Sequence, residues 1–196
     1  MEASRQKALA LAASLGLPVG RHLPPVGGRL RPPTALLERA LCLNVVAAVS
    51  FGLPSQTGRR WVEREGLWFG LTSAERKLLA GPALAASTFR GSVHSLCAFA
   101  WLLGLEPLLS PISPIPGDLV KLLPDLKSNE SSERFRSKVR CVTEADALAM
   151  LDVFYCVHWG VRETGSSVRF EGLEERRRAL EWSLSTQRWD EVSLDT

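Results

Sequence analysis

His158 and Arg162 stand four residues apart in the apolar run 144–163, so a titratable imidazole and a permanent cation share one helical face. The imidazole titrates near neutral pH and suits general-base work, while a guanidinium suits the holding of an anionic substrate. Asp152, Cys156 and Glu163 fall on another face of the same helix. Fourteen of the 20 residues in this run are apolar, so its polar side chains lie in or near the core and need partners. Arg162 and Arg176 are candidates to pair with Asp152, Glu175 or Asp190. Two readings follow. One is an ion-pair network that fixes helix registry. The other is a catalytic cluster of His158, Arg162 and a carboxylate, Asp152 or Glu175. The first is preferred, because perturbed charge networks are often architectural.

Other chemistries find less in the chain. His94 and Cys97 are three residues apart on one predicted helix, and Cys156 and His158 lie close on another, a nominal set of zinc-type ligands. Zinc spacing signatures are missing, and Cys156 and His158 point about 160° apart on a helix, so no metal or cofactor is expected. Gly91-Ser92-Val93-His94 falls within a predicted helix and is no nucleophile elbow. Gly27-Gly28-Arg29-Leu30-Arg31 offers N–H groups and guanidinium to a phosphate, but reads as a solvated loop. The run Arg176-Arg177-Arg178 between Glu174, Glu175 and Glu181 reads as a salt-bridged helix face.

Helices must position these residues. A first helix spans 3–15, and a Pro/Gly/Arg loop follows over 16–33. Thr34 is read as the cap of an apolar helix to about Ser50. A charged helix surrounds Trp61, and Thr72-Ser73-Ala74-Glu75 is a capping box. A long helix is read over 84–103, closed by Gly104. Residues 105–131 are rich in Pro and Ser, with a short helix at 118–123. A polar turn at 132–137 precedes the helix capped by Thr143, and residues 164–171 read as an extended turn. The last helix spans about 173–184. Strand-type alternation is absent, so the expectation is an all-α single domain over 1–196 of about eight helices, with mobile loops near 16–33 and 105–131.

Composition agrees. The 196 residues are 45% hydrophobic and 23% charged, which excludes global disorder. Net charge is +3, with both signs spread along the chain, so nucleic acid is not an expected partner. The four cysteines form no C-x-x-C pair, which points to a reduced, cytoplasmic protein. Arg5 and Lys7 precede the short apolar run Ala8–Leu17, but Glu2 and the poor cleavage site Pro18-Val19-Gly20 argue against a signal peptide. The run Leu41–Leu53 is broken by Asn44, Ser50 and Gly52, so no membrane association is expected.

The last third carries a longer pattern. Leu151-Asp152-x-x-Tyr155-x-x-His158-Trp159-x-x-Arg162 is followed by Glu175-Arg176-x-x-Ala179-Leu180-x-Trp182, then by Trp189-Asp190-x-Val192-x-x-Asp195-Thr196. With Arg39-Ala40-Leu41, Leu71-Thr72-x-x-Glu75, and Arg90 followed by Trp101-x-x-Gly104, this resembles the bacterial domain-of-unknown-function family numbered 4272. The resemblance covers nearly the whole chain and implies a mainly helical fold, without an activity to carry over. It marks Arg90, Tyr155, Trp159, Arg176, Trp182, Trp189, Asp190 and Asp195 as candidates for a binding or structural network. Two departures stand out. Phe89-Arg90-Gly91-Ser92 replaces a Trp-Arg-x-Glu pattern, which removes an acidic partner, and Cys156 stands where an Arg follows the Tyr. Trp182 and Trp189 are expected to clamp the tail onto the body. The expectation for function is a non-enzymatic protein-binding domain, with toxin neutralisation or immunity as its concrete form. The alternative is an enzyme acting on a small anionic substrate through His158, Arg162 and a carboxylate.

Overall fold

Thr143 accepts the Asp146 N–H at 3.1 Å and starts a helix that runs unbroken to Glu163, the longest in the molecule. The computed structural model describes residues 2–20, 22–81, 86–164 and 170–195. Among them are nine α-helices and no strand. They are α1 (Glu2–Ser14), α2 (Pro33–Ser50), α3 (Ser55–Arg64), α4 (Ser73–Ala80) and α5 (Ser92–Leu102). α6 (Leu119–Leu122), α7 (Glu133–Lys138), α8 (Glu144–Glu163) and α9 (Leu173–Ser183) follow.

Contacts run across the molecule in one series. α2 packs on α3, α4 and α5; α5 meets α9, α9 meets α8, and α8 meets α1. The buried apolar residues form one continuous cluster from Ala12 to Val192. α2 is long and apolar enough to cross a membrane by length and composition, yet 72% of it is buried inside the fold. It begins at Pro33 behind Pro32, not behind a Thr34 cap. Proline fits the first helical turn, where its missing N–H has no partner to lose.

The helix expected over 84–103 is interrupted. Ala86–Phe89 is a 3-10 turn, and α5 begins only at Ser92. Ser87, Thr88 and Gly91 are weak helix formers. A Cβ at Gly91 would also lie 2.7 Å from Glu175 Oε1. Gly91-Ser92 therefore stands at a helix start rather than within a helix. Of the turn expected over 164–171, residues 165–169 lie outside the described residues.

Both Pro-rich segments expected to be mobile carry ties to helices. Arg5 donates to Leu23 O at 3.3 Å and Pro24 O at 2.9 Å. Asn44 donates to Pro124 O at 3.2 Å, and Trp61 Nε1–H to Glu130 O at 2.7 Å. The C-terminal tail lies against the body. Phe99, Trp182 and Trp189 form a ring cluster with centroids 5.7, 6.1 and 5.9 Å apart. Arg31 lies 4.1 Å over Trp182, and Arg39 lies 4.4 Å over Trp189.

Candidate functional site

Arg176 and Arg177 are consecutive on α9 and so point about 100° apart. Each is 2% exposed. α9 is sandwiched between α5 and α8, which gives each guanidinium a different surface.

Arg177 reaches the α8 side. Its Nε–H and Nη2–H donate to Glu181 Oε1 at 3.2 and 3.1 Å. Its Nη1–H groups meet His158 Nδ1 at 2.6 Å and Leu194 O at 3.3 Å. Arginine has no acceptor, so His158 Nδ1 must present its lone pair and the ring proton must sit on Nε2. Nε2 lies 3.6 Å from Glu174 Oε1. Burial, then the Arg177 charge, push the His158 pKa down, with Glu174 opposing. The Arg177 guanidinium also lies 4.8 Å over the ring of Tyr155, which is half-buried.

Arg176 reaches the α5 side. Its Nη1–H donates to Ser110 O at 3.1 Å, and its Nε–H has no partner among the described residues. His94 lies in its field, with Nε2 3.6 Å from Glu171 Oε1 and Nδ1 without a partner among the described residues. Burial, then Arg176, push the His94 pKa down. Gly172 is obligatory beside it, since φ is +71° and a Cβ would lie 2.1 Å from His94 Cγ. The Glu175 carboxylate lies at the α5 N-terminus, where the helix dipole favours negative charge.

Several expected pairings are replaced. Asp152, 4% exposed, is paired by Arg5 of α1, through Nε–H to Oδ2 at 2.9 Å and Nη2 to Oδ1 at 2.6 Å. Neither Arg162 nor Arg176 pairs with it. Arg162 is exposed at the end of α8 while His158 is buried, and the Arg162 charge adds to the downward push on the His158 pKa. Asp190 is exposed and pairs with Arg188 at 3.3 Å. Asp195 accepts from the Ser193 hydroxyl at 2.8 Å. Arg90 is exposed, 5.7 Å over Phe51. Trp159, a candidate for the binding or structural network, is half-buried and faces Gly20.

Sequence reasoning missed Arg5, which stood out only as the charged flank of an apolar run. The run Arg176-Arg177-Arg178, expected as a salt-bridged helix face, is so only at Arg177, which pairs with Glu181 one turn on; Arg176 and Arg177 are buried between α5 and α8 instead. No three His, Cys, Asp or Glu among the described residues converge to hold a metal. Burial pushes the Cys42 thiol up to about 12 and the Cys156 thiol to about 11, with Cys97 and Cys141 also raised. None of the four is a ready thiolate nucleophile.

A cleft of about 620 Å³ opens beside the Arg177 centre. Residues 24–29 form one wall and residues 184–187 the other, with Tyr155, Arg177 and Glu181 at the floor.

Fold and site together define an all-α domain in which half-buried Arg5 ties α1 to α8 and buried Arg177 ties the C-terminal segment to α8 and α9. The chain belongs to the family described as Domain of unknown function (DUF4272), whose model matches residues 4–192. No curated protein and no solved structure matches it.

Proposed function

We propose that this protein is a non-enzymatic, cytoplasmic protein-binding domain. The supporting observation is the segment 107–117, PLLSPISPIPG, eleven residues without a charge. It exposes Leu108 at 79% and Ile112 at 45%, and Val120 follows at 76%. Arg176 holds its Ser110 carbonyl, and Pro111 is buried, so the apolar side chains are presented from a fixed backbone. Four prolines fix φ at their positions in this bent segment and lower the entropy that a partner must overcome. An apolar groove on a protein partner fits this segment, as in other recognition of Pro-rich segments. Neutralising a bacterial toxin is one concrete form of such pairing.

The enzyme reading through His158, Arg162 and a carboxylate has weaker support. The His158 Nδ1 lone pair is engaged by Arg177, and the imidazole is 3% exposed. The test is a tagged chain passed through nuclease-treated lysate of the native host. One stoichiometric protein is expected, and Leu108→Asp with Ile112→Asp should abolish its capture without lowering Tm. No stoichiometric protein, or capture indifferent to the double variant, overturns the proposal.

A further inference from the structure

The tail is held to the body in two different ways. Trp189 packs on Phe99 and Trp182, and Val192 is buried. Beyond Val192, one hydrogen bond joins the chain end to the body among the described residues, from Arg177 Nη1–H to Leu194 O at 3.3 Å. Ser193 and Asp195 bond only to each other, through the Ser193 hydroxyl. Leu194 is half-buried, while Ser193 and Asp195 are exposed and line the cleft.

The group that holds Leu194 O depends on an imidazole. The same Nη1 meets His158 Nδ1 at 2.6 Å, a contact that exists only while Nδ1 keeps its lone pair. Nε2 already carries the ring proton, so a second proton must go to Nδ1. It would set a donor against a donor and a cation against a cation.

Little nearby offsets that second charge. From α9, His158 faces Arg177 and Glu174, and from its own helix Arg162. Glu174 lies 3.6 Å from Nε2 but is 69% exposed, so solvent screens it. Glu181 is engaged by Arg177, Tyr155 lies under the same guanidinium, and α1 sends Arg5 to Asp152. Protonation therefore favours whichever arrangement separates the two cations. Arg177 is held to Glu181 through Nε and Nη2, so a rotation about that pair withdraws Nη1 from His158 and from Leu194 O together. A single hydrogen bond of this kind contributes about fivefold to an equilibrium, and proton linkage supplies at most about tenfold per pH unit.

We propose that His158 and Arg177 form a proton-operated latch: a proton arriving at Nδ1 withdraws Nη1 from Leu194 O and frees residues 193–195 from that side of the cleft.

The experiment is 15N relaxation of the isotope-labelled full chain from about pH 7.5 down to about pH 5. The Leu194 and Asp195 amides should lose order as pH falls, with the open fraction rising by up to about tenfold per pH unit, while Trp189 and the α2 amides stay rigid. The midpoint should coincide with that of the His158 imidazole signal, which the wild-type chain reports on its own. His158→Asn keeps an acceptor for Arg177 and does not titrate, so its chain end should stay ordered throughout. His94→Asn leaves the latch intact and should respond as wild type does. Order at Leu194 that persists at the lowest pH, equal loosening in His158→Asn, a midpoint apart from that of the imidazole, or loss of order at Trp189 or in α2 together with Leu194 overturns the proposal.

Discussion

Arg176 and Arg177 are adjacent on α9, equally buried, and each lies beside a buried histidine that faces an exposed glutamate. Their guanidinium groups are nevertheless satisfied in different ways. Arg177 meets a carboxylate, an imidazole lone pair and a carbonyl, and so joins α8, α9 and the tail. Arg176 has one carbonyl, that of Ser110, and no carboxylate within ion-pair distance among the described residues. Burying a charge does not by itself make a network. The number of lone pairs that converge on it decides whether it joins elements or pins one loop.

The sharpest way to break the comparison is to remove each cation in turn. Arg177→Met leaves the partly exposed Glu181, His158 Nδ1 and Leu194 O without their donor, and it should cost about 2–3 kcal/mol, the upper range for stranding buried polar groups. Arg176→Met removes one hydrogen bond together with an unpartnered N–H, and it should cost about 1 kcal/mol or less. Urea unfolding of the two variants reads the difference. Equal losses would show that the Arg176 side is a network after all.

Acidification should act on both centres. The folded pKa of His158 and of His94 lies below the usual 6.5, so the unfolded chain takes up protons first as pH falls. Stability is whole above about 6.5, declines below it, and stops declining once pH has passed the folded values. The slope is at most about 1.4 kcal/mol per pH unit for each imidazole. His158→Asn keeps an acceptor for Arg177 and should remove one of the two steps, and His94→Asn the other. Thermal melts from pH 7.5 to 5 suffice, and an unchanged slope in the double variant would refute the assignment.

The smallest effect sharpens the symmetry. Glu174 and Glu171 oppose the downward shifts of His158 and His94, respectively. Glu174→Gln and Glu171→Gln should each move the matching imidazole titration to lower pH, and only slightly, because both carboxylates are exposed and screened by solvent. NMR titration of the two imidazoles measures it, and upward movement would reverse the picture.

Much of the helical frame is legible in the sequence. Thr143 with Asp146 marks the start of α8, and Thr72 with Glu75 marks that of α4, because caps are local rules. The start of α5 is only partly legible: Ser87, Thr88 and Gly91 are weak helix formers, but the Glu175 side chain that leaves no room for a Cβ at Gly91 comes from another helix. The same limit governs the candidate site. Spacing along α8 places Asp152 in the interior, but says nothing of which remote cation meets it. That cation is Arg5, 147 residues away. The Arg177–Glu181 pair lies within one helix and is readable for that reason.

Glu75 illustrates what such remote contacts do to a local rule. Its carboxylate accepts the Thr72 N–H at 2.8 Å and also receives Arg39 of α2. A capping box accepts Gln as readily as Glu at this position. Here Gln would leave the Arg39 charge buried without a counter-ion, beneath the Trp189 ring. Losing Arg39 first would strand the carboxylate in the same way. An uncharged packing of this site is therefore reachable only by changing both residues together, since each single step descends into a fitness valley. Positions 39 and 75 should drift through evolutionary time as a locked couple, even where the surrounding apolar residues exchange freely.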